Sequence, residues 1–228
     1  MNILKQTKLI ITAILLLFFS NSLFSKKVAS KDRKTKPDYT IYSKIKGRDY
    51  QLYISFPKNY STKDTITYPV LYVLDGEFNS SFVKGMRKQF QFENEIEDVI
   101  IVGIGSGLDF LSWYSNRYNN YTTTVSIAED EKRKKKMVNS KERINLEEQL
   151  NFLNPLKPRS PPFLNKNYKT NADRGITGHS LGGLFTAYCL INSDGYFTRF
   201  GIGSPSFCWD NEKVLNQAVA QFTENKIW

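Results

Sequence analysis

The sequence predicts an α/β protein with a mainly parallel sheet and helices on both faces. Short apolar runs at 69–74, 99–102 and 200–203 alternate with segments of helical periodicity, the pattern of strands joined by crossover helices. The first run is apolar throughout, as a strand buried on both faces is. A glycine-flanked serine, Gly178-His179-Ser180-Leu181-Gly182, stands between a short strand pattern and an apolar helix pattern.

Residues 1–25 have the order of a secretory signal peptide: Lys5 and Lys8, an apolar run over 9–19, then Ser20, Ser22 and Ser25. The run is shorter than the about 20 residues a spanning helix needs. Cleavage is expected after Ser22 or Ser25, with export to the periplasm or the medium and no stable membrane insertion afterwards. Residues 26–38, polar and lysine-rich, read as a linker, and 39–228 as one α/β domain.

Within that domain, 39–45 and 50–56 flank Lys46-Gly47-Arg48, and Tyr50, Leu52, Ile54 and Phe56 alternate with Gln51, Tyr53 and Ser55. This period of two predicts a hairpin. After a loop at 57–67, the strand at 69–74 ends in an Asp75-Gly76 turn. Residues 79–92 place Phe82, Val83, Met86 and Phe90 near helical spacing, and 99–102 is a second strand closed by Gly103. Residues 104–170 are longer, polar and irregular, and read as a lid-like insertion. Their charge run at 129–136 suits a solvated helix face or loop, or else a lid or anion contact. Trp113, Tyr114 and Tyr118 in this stretch suit either packing or stacking on a sugar or aryl acyl group. A strand at 174–177, a helix at 181–191 and a strand at 200–203 follow. Asp210 is placed to cap a last helix whose apolar face is Val214, Leu215, Ala218, Val219 and Phe222. Cys189 and Cys208 sit beside apolar or aromatic residues, which favours two buried free thiols over a disulfide.

The formal net charge is +10, and loss of Lys5 and Lys8 with residues 1–25 lowers it to +8. Such a surface suits anionic glycans or envelope phosphates. The lysines are dispersed and accompany no nucleic-acid-binding motif, so no nucleic-acid partner is expected. One histidine and two separated cysteines make no metal ligand set. No cofactor is implied, and nothing in the pattern sets an oligomeric state.

The chemistry is carried by Ser180. A serine hydroxyl is a poor nucleophile at neutral pH unless a base can reach it and backbone donors face the developing oxyanion. A sharp strand-to-helix turn supplies the second requirement, and Gly178 and Gly182 give it clearance. Gly183 adds room for close helix–sheet packing. The amides of Leu181 and of Glu77, after the strongest strand, are the expected oxyanion donors.

The runs Tyr68-Pro69-Val70-Leu71-Tyr72-Val73-Leu74-Asp75-Gly76-Glu77, Arg174-Gly175-Ile176-Thr177-Gly178-His179-Ser180-Leu181-Gly182-Gly183-Leu184-Phe185 and Ser204-Pro205-Ser206 before Trp209-Asp210 resemble, in this order, an esterase family of the α/β-hydrolase superfamily. Its relatives include enterochelin and feruloyl esterases and esterase D. Arg117-Tyr118-Asn119-Asn120-Tyr121-Thr122 is similar to a further family motif that usually contains Asp-Tyr-Thr-Pro. The resemblance implies an α/β-hydrolase fold, Ser180 as nucleophile, oxyanion donors at Leu181 and Glu77, and a small-molecule or glycan ester as substrate. It places His179 inside the elbow, pointing away from the nucleophile.

The family pattern continues past the Ser-Pro-Ser segment with two more strands that bring a carboxylate and then a histidine. Only 48 residues follow Ser180, none of them histidine, and Pro158, Pro161 and Pro162 interrupt a segment that is a helix in the family. The expectation is therefore a C-terminally incomplete domain lacking the last two strands and the triad acid and histidine. By family it is an exported serine ester hydrolase. The alternative is a non-catalytic remnant that retains a carbohydrate or siderophore pocket.

Overall fold

The structure is a computed structural model that describes residues 36–43, 47–63, 65–92, 95–107, 109–124, 126, 131 and 163–224. The expected signal peptide, most of the linker, the charge run apart from Glu131, and Pro158, Pro161 and Pro162 lie outside these residues.

The chain runs through β1 (Tyr39–Ser43), β2 (Arg48–Ser55), β3 (Tyr68–Leu74), α1 (Gly76–Phe92), β4 (Ile100–Gly105), α2 (Phe110–Tyr121), α3 (Phe163–Asn167), β5 (Thr170–His179), α4 (Leu181–Asn192), β6 (Arg199–Gly203) and α5 (Lys213–Glu224). The strands form a six-stranded sheet in the order β1-β2-β4-β3-β5-β6. The expected hairpin is there, with Tyr39 opposite Leu52 and Ser43 opposite Arg48. β2 is antiparallel to β4, whereas β4, β3, β5 and β6 are parallel to one another. Each parallel step is a crossover through a helix.

Alternation along the strands divides the two faces. Val70, Tyr72, Leu74, Ile100, Val102, Ile104 and Ile176 turn to one side, where they pack with Tyr121 of α2, Leu184 and Phe185 of α4, and Trp209 and Val214 further along. α1 lies on the other side. A Cβ on Gly76 would come within 2.5 Å of the Gly103 carbonyl carbon, so only glycine lets the start of α1 sit this close to β4.

α1 begins three residues before the expected 79, and its apolar stripe does not face the core. Phe82, Met86 and Phe90 are exposed, while Gly76, Ser80 and Arg87 are buried against the sheet. Phe82, Val83, Met86 and Phe90 line an open groove over β3, β4, β5 and β6, and beside them lies Arg87. Its guanidinium donates to the carbonyls of Ser55 (2.9 Å) and Val99 (3.2 Å) and to the Ser55 hydroxyl (2.7 Å), and burial pulls its pKa below the usual arginine value.

Residues 110–121, read from the sequence as irregular, form helix α2. Asp109 caps it, accepting from the Ser112 N–H at 3.0 Å. Asp210 does not cap α5. It begins a run of left-handed residues, Asp210, Asn211 and Glu212, and the first helical bond is accepted by the Glu212 carbonyl from Asn216 (2.9 Å). On α5, Val214 is buried, but Val219 and Phe222 of the expected apolar face are exposed. Both cysteines are free thiols, and only Cys189 is buried; Cys208 is exposed on the turn after β6, against the expectation of burial. Among the described residues no helix is long and apolar enough to cross a membrane.

Candidate active site

Ser180 stands between the end of β5 and the start of α4 with φ 59° and ψ −116°. This is a backbone conformation that L-residues avoid, and holding one there stores strain of about 1–3 kcal/mol. The turn closes so tightly that a Cβ on Gly178 would lie 2.5 Å from the carbonyl carbon and oxygen of Gly182. A Cβ on Gly183 would lie 2.5 Å from the Gly203 carbonyl oxygen, so α4 rests directly on β6. Gly182 differs from the expectation: its missing Cβ would meet only ordinary contacts, at 3.5 Å from Leu74 and 3.6 Å from the Asp75 carboxylate. The clearance around the serine comes from Gly178.

The Ser180 hydroxyl makes no capping bond to α4. Its partner among the described residues is the Ser206 hydroxyl at 3.1 Å. Backbone bonds seat both serines, Ser180 N–H to the Gly203 carbonyl (3.0 Å) and Ser206 N–H to the Ser180 carbonyl (3.1 Å). Leu181 is the first residue of α4, so its N–H lacks a helical acceptor. Glu77 occupies the corresponding place in the first turn of α1. His179 ends β5, paired with Gly203, and is exposed; the hydroxyl of Ser180 bonds to Ser206 and not to its ring.

Sequence reasoning left three participants without a role. Asp75, read as a turn residue, is buried with φ 52°. Its carboxylate accepts from Trp113 Nε1 (2.9 Å), Arg117 Nε (3.1 Å) and Arg117 Nη2 (3.0 Å), and its own N–H donates to the Tyr121 hydroxyl (3.0 Å). Arg117 also donates to the His179 carbonyl at 3.3 Å. Ser206 is the third. Arg117 and Ser206 both lay in motifs quoted for the resemblance, but a motif alone does not show which atom meets which.

The Glu77 carboxylate accepts the N–H groups of Ser106 (3.0 Å) and Gly107 (3.2 Å) and lies against its own N–H, and its Oε2 is buried without a hydrogen-bond partner among the described residues. Burial pushes its pKa up to about 7, opposed by the amide bonds it accepts. Aromatic rings follow one another beside this loop: Phe78 on Trp113 (centroids 4.7 Å), Tyr114 on Tyr118 (5.1 Å) and Tyr118 on Trp209 (5.9 Å).

A parallel sheet carrying a strained serine at a strand-to-helix elbow defines the α/β-hydrolase class. Residues 43–228 match the family described as Putative esterase, and the chain belongs to that family. It is 26% identical over 180 residues to ferri-bacillibactin esterase BesA of Bacillus subtilis strain 168, an alignment covering 77% of this chain and 60% of the relative. The chain thus spans less than two thirds of this curated relative. Among solved structures it is similar to the BES protein from Bacillus cereus, with TM-score 0.64 and 27% identity over 82% of this chain and 69% of that one. The fold is shared with siderophore hydrolase EstA from Aspergillus nidulans, with TM-score 0.63 and 19% identity over 83% of this chain and 63% of that one.

Proposed function

We propose that the protein is an exported serine hydrolase that cleaves small-molecule carboxylic esters of the siderophore type through an acyl-enzyme on Ser180. The observation that carries this reading is the backbone of Ser180, φ 59° between β5 and α4, a strain that no side-chain capping bond accompanies. Ser180 Oγ attacks the ester carbonyl carbon, and the displaced electron pair collects on the carbonyl oxygen between the N–H groups of Leu181 and Glu77. Collapse of this intermediate expels the alcohol, which takes up the proton that Ser180 Oγ gave up on attack. Water then attacks the acyl-enzyme and releases the acid and Ser180. The substrate class follows the names of BesA and EstA, and the aromatic series from Phe78 to Trp209 suits an aryl acyl group. Export rests on the composition of residues 1–25.

One observation favours a second reading, a protein that binds such esters without turning them over. The sole histidine, His179, is not the partner of the Ser180 hydroxyl. The test is release of p-nitrophenol from its acetate and of acid from a catecholate triester, each with Ser180→Ala as the blank. Turnover that disappears in Ser180→Ala upholds the hydrolase. Equal rates for the two proteins, with saturable heat on titration of the triester, uphold the binder. N-terminal sequencing of the protein recovered outside the cytoplasm tests export and locates the cleavage point.

A further inference from the structure

Two loops supply the amides proposed to face the oxyanion, one before α1 and one before α4. A single guanidinium joins them, through a side-chain carboxylate on the first and a backbone carbonyl on the second. Arg117 engages both carboxylate oxygens of Asp75, two residues before Glu77, and reaches the carbonyl of His179, the residue before Ser180. We propose that Arg117 is a positioning residue that holds the β3–α1 loop and the serine elbow at a set separation, so that the Glu77 and Leu181 amides converge on one oxygen.

The geometry leaves the guanidinium little freedom. Its plane lies over the Trp113 ring at 5.0 Å, and that same ring donates its N–H to Asp75, so the aromatic face and the carboxylate fix it from two sides. Asp75 is pinned in turn by the hydroxyl of Tyr121, a fully buried side chain. Arg117 and Asp75 are 12% and 5% exposed, so the pair is shielded from the screening that weakens surface ion pairs. Charge adds a second reason. The Asp75 carboxylate lies against the first turn of α4, 3.6 Å from where a Gly182 Cβ would be, and an unneutralised anion there would oppose a negative oxygen held by the Leu181 amide. A lysine could neutralise Asp75, but it lacks the fork needed to hold both loops at once.

The inference rests on the proposed hydrolase reading, and its test separates the two. Amide exchange is measured in Arg117→Lys and in the charge-balanced double variant Asp75→Asn/Arg117→Gln, the latter covering failure of the single variant to fold. The reporters are the protected N–H groups of Phe78 and Asn79, which bond Asp75, and of Leu184, which bonds Ser180. Exchange is expected to rise about tenfold or more at both loops together, while Val102 in β4 stays protected. Ser180-dependent ester hydrolysis is expected to lose about 10- to 100-fold in kcat with KM changed less than about threefold. Unchanged exchange, a rise in one loop only, or a uniform rise including β4 overturns the clamp. So does an effect confined to KM. If the wild-type protein and Ser180→Ala hydrolyse esters equally, the hydrolase reading falls, and the exchange arm still decides whether Arg117 joins the two loops.

Discussion

The hydroxyl of Ser206 lies 3.1 Å from the hydroxyl of Ser180, and the Ser206 N–H is bonded to the Ser180 carbonyl. The turn after β6 therefore holds Ser180 by both side chain and backbone. Ser206→Ala removes only the side-chain contact. A neutral hydrogen bond of this kind contributes about 1 kcal/mol. The expected outcome is a three- to tenfold loss of Ser180-dependent kcat/KM, with a loss of stability in urea of no more than about 1 kcal/mol. A loss of activity matched by a large loss of stability would mean that Ser206 supports the turn and not the hydroxyl.

The order of elements was legible in the sequence because β3, β4 and β6 contain short apolar runs beside glycine or aspartate, and β5 leads into the glycine-flanked serine. Every strand and long helix placed from 39 onward is present, with boundaries shifted by a few residues. The face of α1 was not legible. Its stripe of Phe82, Met86 and Phe90 has helical spacing, but it borders a groove over Leu71, Ile101 and Phe200 that the described residues leave open, so the three rings are exposed. Helix α2 was hidden because its residues are polar and aromatic, with no clear apolar period. At the site, Ser180 and the close approach at Gly178 were readable from spacing, whereas the clearance expected of Gly182 was not needed. The contacts of Asp75 with Arg117 and of Ser180 with Ser206 span 42 and 26 residues of sequence, and no local pattern encodes such a pairing.

The closure of the elbow can be probed through glycine. Gly178→Ala places a methyl 2.5 Å from the Gly182 backbone, where no side chain can yield, and is expected to destabilise the fold by about 2–4 kcal/mol. Gly85 is the control. It lies within α1 with nothing within 4 Å of its added Cβ, so Gly85→Ala is expected to stabilise by about 1 kcal/mol. Urea denaturation of both variants checks the pair. Equal effects would mean that the β5–α4 junction relaxes without penalty.

Glu77 makes stability depend on pH. Its pKa is raised to about 7 by burial, above the 4.5 of the exposed group. Between these values the folded protein binds a proton that the unfolded chain has lost, so the contribution is fully present below about pH 4.5 and is lost as pH rises to about 7. The loss amounts to about 3 kcal/mol. Glu77→Gln removes this titration. The variant is expected to match the wild type near pH 5 and to exceed it in thermal midpoint at pH 8. Parallel curves from pH 5 to 8 would show that Glu77 is not the titrating group.

The strain at Ser180 is itself measurable. At φ 59° and ψ −116° glycine is at ease and alanine is not. Ser180→Ala and Ser180→Gly both delete the hydroxyl and its bond to Ser206, so the difference between them isolates the backbone. Relief of strain favours glycine by about 1–3 kcal/mol, and the greater entropy of the unfolded glycine chain offsets about 0.5–1 kcal/mol. Ser180→Gly is therefore expected to be about 1 kcal/mol more stable than Ser180→Ala in urea titrations, although neither can form an acyl-enzyme. If alanine proves as stable as glycine, the elbow is relaxed, and the principal support for a catalytic serine is withdrawn.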